Sequence, residues 1–456
     1  MGDSVLNAQM ETNGGEHMNK KTGSLDRDRL RGQLIEGGAR PEDLERYEEY
    51  MSRRGFFGRV GALTALAGLG AGADAALRGL FGQGLIPVAW AQAAETGVVQ
   101  GKPDMIVHNT RPINGEFAPH LLDDDITPSE RHFVRNNGLV PNRAEDQDPQ
   151  GWALTVDGEV DKTVKLALDD LRQMPSVTNA LLIECGGNGR ALFDPPVRGN
   201  PWKYGAVGCS EWTGVPLKEI LNRAGLKNSA VYTAHYGEDP PIGDHQAFSR
   251  GIPIEKAMEE HTLIAYQMNG QDLTPLNGYP VRLVVPGWIG SASQKWLNRI
   301  WIRDRVHDSE KMTGYSYRVP AFPVIPGSKP PKKDMVIATS WVVKSMITRP
   351  EANTKIDVGD KVPVRGHAWA GERKVKRVYL SKDYGLNWEK AKLRKPPNKY
   401  AWYTFEAEIA FPNKGYYEIW ARAEDSEGDV QPVRQPWNPK GYLGNVVHRV
   451  PILCAV

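Results

Sequence analysis

Ile183-Glu184-Cys185-Gly186-Gly187-Asn188-Gly189-Arg190 is the stretch of this chain whose residue types and spacing point most directly to chemistry. An apolar run delivers a thiol into a glycine-rich turn, and an arginine closes the segment. Glycines let a large ligand approach the backbone, and successive amides in such a turn form a nest for anions. A guanidinium nearby favours the thiolate and grips an oxyanion through two hydrogen bonds. On chemistry alone three uses of Cys185 stay open: a nucleophile, a ligand for a soft metal, or a thiol that only packs. A second group is basic. Arg135 lies in Phe133-Val134-Arg135-Asn136-Asn137, Arg282 stands inside the apolar run Val281–Val285, and Lys295-Trp296 follows soon after. An arginine within an apolar strand needs a partner, and a phosphate-bearing cofactor or an anionic substrate would supply one.

Other chemistries lack their residues. The ten histidines form no HxH or HExxH pair and there is no CxxC, which argues against zinc. Without CxxCH the chain attaches no c-type haem. No strand leads into GxGxxG, and GxxxxGK[ST] and GxSxG are missing, so nucleotide-loop and serine-elbow roles have no support. Lys and Arg number 57 against 55 Asp and Glu, a net charge of +2, which gives no nucleic-acid footprint. Three cysteines, Cys185, Cys209 and Cys454, exclude a disulfide scaffold.

The elements that must position these residues fall into three stretches of the 456-residue chain. Residues 1–91 read as a polar extension and a signal. Ser52-Arg53-Arg54-Gly55-Phe56-Phe57 is a twin-arginine pair, the apolar stretch after it is too short to span a membrane, and Ala89-Trp90-Ala91 offers a cleavage site. Such an address predicts export of a folded, cofactor-loaded protein to the periplasm. Residues 92–333 read as an α+β domain. An extended wrapping segment comes first, over 92–150. Strands then run from Trp152, from Ala180 to Glu184, over Val281–Val285 and from Trp296 to Ile302. Short helices interrupt them at Leu166–Met174, Leu217–Ala224 and Ile254–Met258, without a regular βαβ rhythm. Pro320–Lys333 is a linker, and residues 334–456 alternate at the spacing of an all-β, immunoglobulin-like sandwich.

Taken in order, several pieces resemble the sulfite oxidase family of molybdenum enzymes. They are Phe133-Val134-Arg135-Asn136, Glu184–Arg190, Trp202-x-x-Gly205-Ala206, Trp212-x-Gly214-Val215-Pro216-Leu217, Ile264–Gly270, Gly278–Gly287 and Lys295-Trp296-Leu297. Towards the C-terminus Ser381-x-Asp383-x-Gly385-x-x-Trp388, Trp437-Asn438-x-Lys440-Gly441 and Val447-His448-Arg449-Val450 resemble the family's dimerisation domain. The resemblance implies a molybdopterin-binding domain followed by the sandwich, with Cys185 as the single protein ligand of molybdenum. It implies Arg135 and Arg190 as substrate contacts, Trp202 in the pocket wall, Arg449 as a further anion contact, and an active-site tyrosine that is either Tyr317, the favoured one, or Tyr315. Arg282 and Lys295 match positions that hold molybdopterin, and Asn136, Asn137, Asn188 and Asn277 would hydrogen-bond it. Asn137 and Asn277 stand where animal members have histidine, which points to a bacterial branch.

The implied activity is oxidation of sulfite, or a related sulfur oxyanion, to sulfate by oxygen-atom transfer. A separate periplasmic c-type cytochrome would accept the electrons, in a homodimer or in a heterodimer with a cytochrome subunit. The rival readings are a sulfane or thiosulfate-pathway dehydrogenase subunit, a sulfoxide reductase running in the opposite direction, and a non-catalytic periplasmic anion-binding protein.

Overall fold

The computed structural model describes residues 99–455. The twin-arginine pair and the cleavage site therefore lie outside the described residues. Within them the chain is mostly sheet with a few short helices, and no helix is long and apolar enough to cross a membrane.

Two sheets build the first part. In one, Val177–Glu184 pairs antiparallel with Val207–Pro216, which pairs with Leu263–Met268; Arg282–Val284 lies on the far side of that strand. In the other, Leu297–Arg303 sits between Leu154–Gly158, to which it runs parallel, and Tyr232–Gly237, to which it runs antiparallel. Apolar residues of both sheets meet the inner faces of the helices Leu168–Gln173 and Leu217–Ala224 in one core that includes Leu154, Leu171, Val215, Leu221, Leu283 and Ile300. The second helix shows why the sequence specifies it. Leu217, Ile220, Leu221 and Ala224 recur at helical spacing and are all buried, and Gly225 ends it at φ 73°.

The extended segment expected over 92–150 is more ordered than its Pro and Asp content suggests. Ile106–Thr110, Ile113–Glu116 and Val134–Arg135 form a three-stranded antiparallel sheet. These strands are too short for alternation to show, and they gain partners only through the fold. The linker expected over Pro320–Lys333 is a loop closed at its base, where Arg318–Pro320 pairs antiparallel with Met335–Ile337.

The C-terminal part is two facing sheets. One runs Lys344–Arg349, Lys361–Trp369, Tyr403–Ala410, Lys392–Arg394; the other runs Thr354–Ile356, His448–Cys454, Gly415–Asp425, Val375–Ser381, Glu389–Lys390. Alternate residues such as Val362, Val364, Val378, Leu380, Phe405 and Ile419 fill the space between them. All three cysteines are free and buried.

Candidate active site

The thiol of Cys185 sits just beyond the end of the strand Val177–Glu184 and is 7% exposed. Its amide donates to Ala206 O at 2.9 Å, and Asn188 N donates to Cys185 O at 2.7 Å, which closes the turn. Glycine is required here for two different reasons. Gly189 adopts φ 90°, and a Cβ at Gly187 would lie 2.3 Å from the Arg190 guanidinium.

Cys185 opens onto a cavity that reaches solvent. Arg135, Asn136, Asn137, Asn277, Arg282, Lys295 and Tyr317 line it with Cys185. Eight side chains drawn from distant stretches of sequence thus meet at one place. Arg135 donates to Asn136 O, to Asn137 Oδ1 at 2.8 Å and to Tyr317 Oη at 3.5 Å, while Tyr317 Oη donates to Asn137 Oδ1 at 3.1 Å. Tyr317 holds φ 57°, a conformation that costs a non-glycine residue on the order of 1 kcal/mol. Its ring is held in place on several sides: Tyr442 stacks on it at 5.5 Å, Phe248 meets it edge-on at 6.1 Å, and the Arg250 guanidinium lies 5.0 Å from its centre.

The electrostatics point to an anionic occupant. Arg282 is buried, donates to Asn277 O at 3.0 Å and to Ser293 O at 3.2 Å, and burial pulls its pKa down to about 9. Lys295 donates to Asn136 Oδ1 and, at 2.8 Å, to Leu276 O; burial first, and then Arg282, push its pKa well below the ordinary lysine value. Burial also works against the charge of Arg135, yet Tyr317, Cys185 and Tyr442 together hold it above the ordinary arginine value. Among the described residues the one carboxyl in the cavity wall is Asp239, which burial raises to about 7. Positive charge is therefore poorly compensated by the protein itself. Unmet hydrogen-bonding capacity gathers in the same wall: His132 Nε2, Asn136 Nδ2, Arg282 Nε, Ser291 Oγ and Gln294 Oε1 are buried and have no partner among the described residues. Buried polar atoms of this kind are normally satisfied. A large group carrying negative charge, many donors and acceptors, and a metal that accepts a soft thiolate would answer all of these features together. A phosphorylated pterin dithiolene bearing molybdenum has these properties, and the residues present fit it.

Five expected site residues lie elsewhere. Arg190 is buried outside the cavity wall, donating to Lys440 O and Asn200 O at 3.0 Å each and packing on the ring of Tyr442 at 5.2 Å. Those carbonyls engage Nε and Nη1 of the guanidinium. Trp202 is fully buried, edge-on to His108, and packs behind the cavity rather than lining it. Asn188 spends its amide on Glu184, Tyr204 O and Ala206 N, so it shapes the cysteine turn instead of facing a cofactor. The Tyr315 hydroxyl donates to Pro330 O at 3.1 Å, and Tyr317 is the tyrosine at the cavity. Arg449 stands on the outer face of His448–Cys454, donating to Val433 O and stacking on Trp420 at 4.0 Å. Conversely, His132, Asp239, Ser291, Ser293 and Gln294 line the cavity without having been singled out. The run Gly290-Ser291-Ala292-Ser293-Gln294, just ahead of Lys295, was the available signal for three of them.

Comparison with known proteins agrees with this geometry. Residues 138–311 match the family described as oxidoreductase molybdopterin binding domain, and residues 336–454 match the Mo-co oxidoreductase dimerisation domain. Sulfite oxidase of Gallus gallus is 32% identical over 367 residues, covering 76% of this chain and 77% of that protein. Mitochondrial sulfite oxidase of Rattus norvegicus is 33% identical over 368 residues, and the match spans 65% of that protein's length. Among solved structures, the sulfane dehydrogenase SoxCD from Paracoccus pantotrophus superposes with a TM-score of 0.66 at 24% identity, over 86% of this chain and 96% of that one, a likeness of fold. With both family domains present in order and a relative matched over most of its length, the chain belongs to the sulfite oxidase family of molybdopterin oxidoreductases.

Proposed function

We propose that this protein oxidises sulfite to sulfate, consuming one water and releasing two protons and two electrons. The observation that carries the reading is the cavity itself, in which one buried thiol faces three cationic side chains and a single, burial-raised carboxyl. Molybdenum held there by Cys185 would supply oxygen-atom transfer and a two-electron sink. The chain's own residues bind and orient. Arg282 and Lys295 would hold the anionic end of the pterin, with Asn136 and Asn277 beside them as hydrogen-bonding groups. Arg135 lies on the Tyr317 side of the cavity, where its fork can hold a sulfite oxygen and offset charge as sulfate forms. The Tyr317 hydroxyl, already engaged with Asn137 and Arg135, can pass a hydrogen bond to the same oxyanion.

Export as a folded protein by the twin-arginine route, residence in the periplasm and delivery of electrons to a c-type cytochrome complete the proposal. They are supported by Ser52-Arg53-Arg54-Gly55-Phe56-Phe57 and by the lack of a CxxCH motif. The test is molybdenum and pterin analysis of the exported protein with sulfite-dependent reduction of cytochrome c. Stoichiometric molybdenum with no sulfite turnover would reject sulfite as substrate while leaving the family assignment in place. Turnover that needs a sulfur-carrier protein would instead favour a sulfane-type substrate.

Arg282→Met is expected to leave the protein folded but poor in cofactor. The methionine fills the space over the Trp212 ring, where the guanidinium now lies 4.9 Å away, without its charge or its donors. Loss of two charge-assisted contacts should weaken retention on the order of a hundredfold. Pterin content after dialysis, with circular dichroism to verify folding, measures this.

A further inference from the structure

The C-terminal part of the chain grips the strand that carries Cys185 at alternate positions along one edge. Asn398 Nδ2 donates to Ala180 O at 3.0 Å, Leu182 N donates to Tyr400 O at 2.9 Å, and Leu443 N donates to Gly186 O at 3.0 Å. Between these points, at Glu184, side chains make the contact. Glu184 is fully buried; its Oε1 accepts from Lys344 Nζ at 2.7 Å and from Asn188 Nδ2 at 2.8 Å, and its Oε2 accepts from Trp369 Nε1 at 2.6 Å. Lys344 is 3% exposed on its side chain. Lys344 and Trp369 are directly opposed across neighbouring strands of the sandwich, so one face presents both donors together.

Burying an ammonium and a carboxylate is expensive, and an apolar pair of similar volume would hold two domains together as well or better. Stability alone therefore does not account for the pair, but its position does. Glu184 immediately precedes Cys185, and alternation along an extended chain sends its carboxylate away from the cavity as the thiol turns towards it. The carboxylate is shared with Asn188, whose own amide closes the turn on Cys185 O and whose Oδ1 accepts from Ala206 N at 3.2 Å. Lys344 Nζ also lies 3.4 Å from Asn188 O. One ammonium from the sandwich thus reaches both ends of the turn that aims the thiol, without entering the cavity wall.

We propose that Glu184 and Lys344, with Trp369, are positioning residues through which the sandwich sets the direction of the Cys185 thiolate towards molybdenum. The inference rests on Cys185 being the metal's protein ligand, as read above. It assigns the C-terminal sheets a role in tuning the metal centre of their own subunit. Because the pterin is held elsewhere, by Arg282 and Lys295, disturbing the pair should alter the metal's environment without releasing the cofactor.

The test uses purified holoenzymes of wild type, Lys344→Arg, Cys185→Ser and the double variant Glu184→Gln/Lys344→Met. The double variant removes both charges together, so no lone charge stays buried to unfold it. Four quantities are read: molybdenum and pterin content, the molybdenum X-ray absorption spectrum, the Mo(V) electron paramagnetic resonance signal after partial reduction with dithionite, and the steady-state kinetics with sulfite. The expected result is wild-type metal content in the double variant, displaced g values, and kcat lowered on the order of tenfold with KM little changed. Lys344→Arg, which keeps a cationic donor, should return towards wild type on both readouts. A double variant with the wild-type signal and kcat overturns the proposal, since the pair would then be a tether only. A folded double variant that has lost its molybdenum also overturns it, because the pair would be holding the pocket as a whole. Identical molybdenum X-ray absorption spectra for wild type and Cys185→Ser would instead refute the ligand assignment on which the inference rests.

Discussion

Cys185→Ala is expected to lower sulfite turnover by at least a factor on the order of a hundred while the protein stays folded and keeps its pterin. The argument begins with size. The thiol is small and buried, and its main-chain bonds to Ala206 O and Asn188 N are independent of the side chain, so alanine leaves the turn intact. What disappears is the soft donor that the proposed function assigns to the metal. Loss of groups that only support metal ligands already costs 10- to 100-fold in metal sites, and removing the ligand itself should cost at least the upper figure. Arg282 and Lys295, which the proposed function assigns to holding the cofactor, are untouched and should retain it. Metal analysis beside steady-state sulfite kinetics separates the two effects. Undiminished turnover in the alanine variant would leave Cys185 as a packing residue and remove the basis of the proposed chemistry.

Arg135→Met should reduce kcat/KM for sulfite on the order of 100- to 1,000-fold, the range found when one donor to a developing oxyanion is deleted. Arg135 is the cavity cation tied to Tyr317 and Asn137, whereas Arg282 and Lys295 bond to Asn277 O, Leu276 O and Asn136. The loss should therefore fall on substrate rather than on cofactor content, which is the reverse of the Arg282→Met phenotype. Arg135→Lys should recover part of the deficit, because the charge is kept and the planar fork is lost. Steady-state kinetics with pterin analysis on the same samples decides the matter. A variant that loses pterin as Arg282→Met does would move Arg135 from the substrate side to the cofactor side.

How much of this site was legible beforehand depended on what each residue needed in order to be noticed. Cys185 stood out because a strand, a glycine turn and an arginine flank it within one short segment. Arg282 stood out because a charge inside an apolar strand needs explaining wherever it occurs. Both signals are local, and both residues line the cavity. Arg190 carried an equally local signal, yet it lies outside the cavity wall with Nε and Nη1 bonded to Lys440 O and Asn200 O, carbonyls whose approach no spacing rule foretells. Arg449 alternates along a strand whose outward side happens to carry it, and only sheet register decides which side that is. Asp239 lies in a loop with no periodicity, so nothing in its neighbours marked it.

The sequence by itself determined the building blocks: the apolar periodicity of Leu217–Ala224, the alternation that builds the sandwich, the turn around Cys185, and an arginine, Arg282, set inside an apolar strand. Those features follow from steric and solvation rules that act over a few residues. Only the tertiary structure decided which cations share a cavity with the thiol, which tyrosine of the Tyr315 and Tyr317 pair reaches it, and that Lys344 stands against Glu184 from across 160 positions of chain. Such contacts depend on the packing of whole sheets against one another, where the burial of one face fixes the place of every residue on the other.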